Sequence, residues 1–261
     1  MNGKKVISTL LAVLLLMSLA ACGSRDAGGA KPDEGEKELI KIGIMQFGEF
    51  DALLNASEGF KVGLAEAGYI EGENVAFNYL SAAADTSNCP TIADSLINDG
   101  SKLIFAIATP SVLCLKEKTT TIPVIFSAVT DPVKSGLVAD YNVPGGNISG
   151  ASDMNPVEEQ IDFLLKLLPE TKTIAVFYSS SESNSHIQYE IAKNYIEGKG
   201  LGCVQKTISA VDEAKSAIES LKGQVDAIYI PTDNTVSDAM QIVSTAAHDC
   251  GIPTFGAEPA M

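Results

Sequence analysis

The chain has 261 residues, carries 33 Asp and Glu against 18 Lys and Arg, and has a formal net charge of −15. That length suits one large domain or two ordinary ones. A surface this acidic argues against nucleic acid, which is gripped through basic patches on phosphates, and against electrostatic adhesion to anionic lipid.

The first residues have the layout of a secretory signal. Lys4 and Lys5 form a positive leader, residues 6–16 are almost entirely apolar, and small residues follow. The apolar run is shorter than the roughly 20 residues of a membrane-spanning helix. It ends in Leu19-Ala20-Ala21-Cys22, which resembles a bacterial lipobox, with Cys22 as the lipidated first residue after cleavage. Residues 1–21 are thus expected to be a lipoprotein signal peptide. Residues 22–38 are Gly-rich, polar and of mixed charge, which cannot bury a core, and are expected to be a flexible tether. The resulting location is extracytoplasmic, attached to the cell membrane through lipid alone.

From residue 39 short apolar runs alternate with amphipathic stretches. Strands are expected at 39–47, 75–80, 103–108 and 122–129, and helices at 50–67, 89–98 and from Thr109 onward. The run 103–108 has no polar side chain, as suits a strand covered on both faces. Thr109-Pro110 supplies a cap and a first-turn proline for the helix after it. Pro144-Gly145-Gly146 reads as a turn or a domain crossing. The alternation then restarts with helices at 157–168, 184–198, 211–221 and 235–249, and strands at 173–178, 203–208, 225–230 and 252–255. Two β-α series of this kind predict an α/β protein of two doubly wound, parallel-sheet lobes, 39–146 and 147–261, joined by a hinge. Ligands of such sheets bind beyond the C-terminal strand ends, so two facing lobes would form a cleft that closes around a solute.

Besides Cys22 there are Cys89, Cys114, Cys203 and Cys250, mostly in apolar company. Buried free thiols are expected, with Cys203–Cys250 the pair to examine first for a bridge. The two histidines, His186 and His248, make no metal-like spacing with them. No nucleophile elbow, phosphate loop or zinc motif occurs, so neither catalysis nor a cofactor is expected.

The expected strand ends carry distinctive segments: Gly43-Ile44-Met45-Gln46-Phe47, Ala106-Ile107-Ala108-Thr109-Pro110, Phe126-Ser127-Ala128-Val129-Thr130-Asp131-Pro132, Pro144 to Gly150, Tyr178 to Ser185, and Asp226 to Thr235. In this order they resemble the family of ABC-transporter substrate-binding proteins that includes tryptophan-binding lipoproteins, over residues 39–261. The resemblance implies a type I periplasmic-binding-protein fold, a permease and ATPase complex as partner, an aromatic or hydrophobic amino acid as ligand, and no catalysis. Relatives continue for several elements beyond the position of Met261, so the C-terminal part of the fold is expected to be missing. A solute sensor for a membrane receptor, or a receptor for a nucleoside- or sugar-like ligand, would share the architecture.

An α-amino acid needs an anion for its ammonium and donors for its carboxylate. Asp233, between an apolar strand and a helix, can be that anion, the cap of the helix, or both. Donors are expected from Thr109 and the helix opening after Pro110, and from Asn184 and Ser185. Gln46 and Phe47, with Phe50 nearby, lie at the first strand end, where a phenylalanine could stack on an aromatic ligand or pack in the core. Ala128, Thr130, Asp131, Asn234 and Glu258 complete the expected ligand site; Thr130 and Asp131 could equally be turn formers.

Overall fold

The structure, a computed structural model, describes residues 38–258. The expected signal peptide, tether and lipidation site therefore lie outside the described residues.

The first lobe opens with β1 (Ile40–Gln46), α1 (Asp51–Glu66), β2 (Val75–Ser81), α2 (Cys89–Asn98), β3 (Leu103–Ile107), α3 (Thr109–Lys118) and β4 (Val124–Val129). β5 (Ile148–Ser152) follows a long loop. The second lobe contains α4 (Val157–Leu167), β6 (Thr173–Ser179), α5 (Ser183–Gly198), β7 (Gly202–Ile208), α6 (Ala214–Glu219), β8 (Ala227–Ile230), α7 (Asn234–Asp238), α8 (Met240–Cys250) and β9 (Thr254–Gly256). The sheets are ordered β2-β1-β3-β4-β5 and β7-β6-β8-β9, and every pairing is parallel. Both sheets place their first strand between the second and third. The direction of winding thus reverses beside β1 and beside β6, and these reversals are where open α/β sheets form ligand crevices.

Alternation along the strands distributes the core. Ile174, Val176 and Tyr178 of β6 pack on one face, with α4 and α5, while Ala175 and Phe177 pack on the other, with α6 and α8. In the first lobe, Phe60 of α1 stacks on Phe105 of β3 with centroids 4.0 Å apart and planes 8° off parallel, which pins α1 across the sheet. Cys89, Cys114, Cys203 and Cys250 are free thiols. Cys203 and Cys250 pack into the clusters on opposite faces of the second sheet, so no bridge joins them. Burial raises the Cys203 thiol to about 11.

Two departures from the sequence reading bear on the site. The first lobe does not end at 146: β5 pairs with β4, and the chain leaves for the second lobe only after Ser152, through Asp153-Met154-Asn155-Pro156. β5 is Ile-Ser-Gly-Ala-Ser, with only Ile148 buried, and so carries almost no hydrophobic signal. Gly150 lets it approach β4, since a Cβ there would lie 2.6 Å from the Phe126 ring. The expected helix 235–249 is instead two pieces, α7 and α8, meeting at Ala239. Among the described residues no helix is long and apolar enough to cross a membrane.

Candidate functional site

The C-terminal strand ends of the two sheets face each other across a cavity of about 60 Å³, room for a few water molecules. From the first lobe it is lined by Phe50 to Leu53 at the start of α1, Thr109 at the start of α3, and Ala128 and Thr130 at the end of β4. Asp153 enters from the connecting segment. The second lobe supplies Asn184, Thr232, Asn234, Ser237 and Glu258.

The first-lobe wall is rich in donors. The residue preceding α1 is Phe50, which cannot cap, and no side chain bonds to the helix opening. The amides of Asp51, Ala52 and Leu53 precede the first bond of the helix, donated by Leu54 to the Phe50 carbonyl at 2.9 Å. α3 likewise begins without a side-chain cap. Ala108 before it has φ 74°, ψ 149°, and Ala128 at the end of β4 has φ 54°. These non-glycine residues in the left-handed half of the map store backbone strain at the rim of the cavity. Thr109 Oγ1 and Asn184 Oδ1 are buried in this region without hydrogen-bond partners. Buried polar atoms are rarely left so.

The opposite wall is anionic. Asp153 and Glu258 both line the cavity, and burial raises the pKa of each. The charge of Asp153 raises Glu258 further. Glu258 is carried on the turn after β9, whose Ala257 carbonyl accepts from Gln160 Nε2 of α4 at 2.9 Å. No Lys, Arg or His is among the lining residues. A cationic group placed there would relieve the repulsion and restore the ionised carboxylates.

Six of the expected ligand residues meet at this cavity: Thr109, Ala128, Thr130, Asn184, Asn234 and Glu258. The other six do not line it. Asp233 is completely buried, with one oxygen accepting from the Val236 amide at 2.8 Å and the other from the Ser179 amide at 2.7 Å. It caps α7 and ties the end of β6 to the loop after β8; burial first, and Glu182 second, push its pKa up. Glu182 completes this lacing by accepting from the amides and side chains of Asn234 and Thr235. Ser185 donates to the Thr232 carbonyl at 3.1 Å, and so supports the site from behind. Asp131 turns into its own loop, accepting from the Lys134 amide at 2.9 Å and the Tyr141 hydroxyl at 3.0 Å. Phe47 is core, and Gln46 is buried with its amide donating to the Gly48 carbonyl at 2.7 Å. Pro110 lines a neighbouring crevice of about 290 Å³ with Ser181 and Ser183.

Asp153 lines the cavity but lies outside the expected set, because β5, the strand just before it, carries almost no hydrophobic signal. Asp51 to Leu53, Thr232 and Ser237 also line the cavity from outside the expected set, while Phe50 is the phenylalanine of the first strand end that could stack on an aromatic ligand. Among the described residues no group of three His, Cys, Asp or Glu side chains is placed to hold a metal ion.

Comparison with known proteins identifies the family. The sequence profile of a family described as ABC transporter substrate binding protein matches residues 41–261. A protein named "Tyrosine-binding protein" from Clostridioides difficile (strain R20291) is 36% identical, over 98% of this chain and 76% of its own length. A solved Streptococcus pneumonia ABC domain in complex with L-Trp is 35% identical, with a TM-score of 0.81 over 86% of this chain and 76% of its own. The ligand-free, open structure of a substrate-binding protein with adhesive properties from Clostridium difficile is 39% identical, yet its TM-score is only 0.61, over 85% of this chain and 75% of its own. The higher identity thus goes with the lower TM-score. The shared architecture is the type I periplasmic-binding-protein fold. With the family profile covering residues 41–261 and a relative 36% identical over 98% of this chain, the chain belongs to the ABC-transporter substrate-binding proteins.

Proposed function

We propose that this chain is an extracytoplasmic lipoprotein that captures an α-amino acid with an aromatic or hydrophobic side chain and delivers it to an ABC permease and ATPase complex. The observation that carries the reading is the meeting, at one cavity, of helix openings that lack side-chain caps with the two partly buried carboxylates of Asp153 and Glu258. Uncapped helix openings and the free Thr109 hydroxyl suit a carboxylate, and Asp153 with Glu258 suits an ammonium. A zwitterion satisfies both walls at once, whereas a neutral sugar leaves the two acids unpaired. Phe50 and Leu53 offer an apolar surface to the rest of the ligand. The names of the relatives, one tyrosine-binding and one holding L-Trp, support an aromatic amino acid. The family consists of binding components rather than enzymes, and no turnover of the ligand is part of this reading. Removal of residues 1–21, lipidation at Cys22 and a tether over 22–38 would place the receptor at the outer membrane face of its transporter.

The test is a thermal-shift and calorimetric screen with tyrosine, tryptophan, leucine, nucleosides and sugars. Tyrosine or tryptophan should raise the melting temperature, as binding to the folded state alone must. The pH dependence has a definite sign. Asp153 and Glu258 have raised pKa values in the empty cleft, so the folded state holds their protons more tightly than the unfolded state. Their contribution to ligand-free stability is therefore lost as pH rises from the ordinary carboxylate range through the raised values. An ammonium in the cleft reverses this by stabilising the ionised forms. The melting shift given by tyrosine should thus be larger at neutral than at mildly acidic pH. An equal shift at both, or stabilisation by sugars alone, contradicts the reading.

A further inference from the structure

Phe50 reaches the cavity through an arrangement that depends on Gly48. Gly48 is buried in the turn between β1 and α1, two residues before Phe50. A Cβ at this position would lie 3.0 Å from both Cδ2 and Cζ of the Phe50 ring, closer than carbon atoms pack, with Cε2 nearer still. The phenyl ring thus lies against the glycine backbone, in space that any other residue would fill. Gly48 is not among the residues with positive φ, so its backbone does not call for glycine, and the three atoms nearest an added Cβ all belong to the ring. Gln46 fixes the turn: it is fully buried at the end of β1, and its Nε2 donates to the Gly48 carbonyl at 2.7 Å. Gln46 and Phe47, expected in the ligand site, are buried behind the turn that carries Phe50.

The identity of Phe50 also matters at the position it occupies. It has the extended backbone of a helix cap, φ −88°, ψ 143°, where Ser, Thr, Asp or Asn would bond the first-turn amides. A phenylalanine forgoes that bond, leaves the amides of α1 open toward the cavity, and adds an aromatic surface beside them.

We infer that Gly48 is a positioning residue for ligand selection: by lacking a side chain it seats the Phe50 ring as a wall of the cavity, and that wall favours ligands with a planar aromatic side chain. This rests on the proposed amino-acid function. Neither residue has a charged side chain, so the effect falls on side-chain preference rather than on recognition of the ammonium.

The test is a double-mutant cycle of Gly48→Ala and Phe50→Ala, reading tyrosine and leucine dissociation constants by calorimetry. Gly48→Ala should weaken tyrosine about 10-fold, in line with the loss of an aromatic contact, and change leucine less. In the Phe50→Ala background, Gly48→Ala should change tyrosine affinity by less than about 2-fold, because the ring it displaces is gone. Phe50→Leu keeps an apolar wall without the flat face, and should lower the preference for tyrosine over leucine; it serves as the second variant if Gly48→Ala misfolds. Independent, multiplying effects of the two alanine substitutions, or an unchanged preference in Phe50→Leu, overturn the inference. Failure of the unmodified protein to bind any amino acid overturns the proposed function itself, and is thereby distinguished.

Discussion

Asp153→Asn and Glu258→Gln should each weaken amino-acid binding by about 30-fold or more, while leaving the ligand-free protein as stable as before or more so at neutral pH. The binding loss follows from truncating one side of a buried charge pair, which removes about 2–5 kcal/mol. The stability effect has the opposite sign, for the reason that raises the pKa of both groups. Buried together and without a cation, the ionised carboxylates are held at a disadvantage. An amide of the same shape removes that disadvantage, so the site stores electrostatic strain that only ligand relieves. Calorimetry with tyrosine and a melt without ligand check the two halves. Unchanged affinity in both variants would remove the pair from the ammonium site. A large fall in ligand-free melting temperature would show them to be structural instead.

Asp233→Ala should do the reverse, lowering stability strongly. The substitution uncaps α7 and leaves the buried Ser179 amide without an acceptor. A lost cap and an unsatisfied buried amide together amount to about 2–4 kcal/mol. At roughly 2–4 °C per kcal/mol for a protein of this size, the melting temperature should fall by about 4–16 °C. Because burial and Glu182 raise the Asp233 pKa in the folded state, wild-type stability declines as pH rises through that raised value. The alanine variant lacks this dependence, so the gap between the two melts should narrow toward alkaline pH. Thermal melts across pH measure it. A normal melt combined with abolished ligand binding would instead place Asp233 against the ligand.

The contrast between Asp233 and Asp153 shows what could be read from the sequence. The β-α alternation was legible because strands such as Leu103–Ile107, covered on both faces, are continuous apolar runs. Two lobes and a cleft at their strand ends followed from that pattern. β5 was not legible, since its half-exposed Ile-Ser-Gly-Ala-Ser forms a strand through pairing with β4 rather than through its own composition. Its loss from the reading moved the lobe boundary and hid Asp153. Within the segments correctly placed, direction was the missing information. Asp233 and Asn234 are adjacent, yet the first turns inward to two backbone amides and the second lines the cavity. Asp131 follows β4 and Ser185 lies in the first turn of α5, and their hydrogen bonds are spent within the protein. Which way a polar side chain turns there depends on which backbone groups lie within reach, and some of these come from segments distant in sequence, such as the Ser179 amide for Asp233.

The most direct measurement is a crystal structure of the protein grown with tyrosine. The account predicts the amino acid between the lobes, its ammonium bonded to Asp153 and Glu258, its carboxylate at the openings of α1 and α3 with Thr109, and its ring beside Phe50. Tyrosine bound outside this cavity, or turned so that its carboxylate meets Asp153 and Glu258, would contradict it.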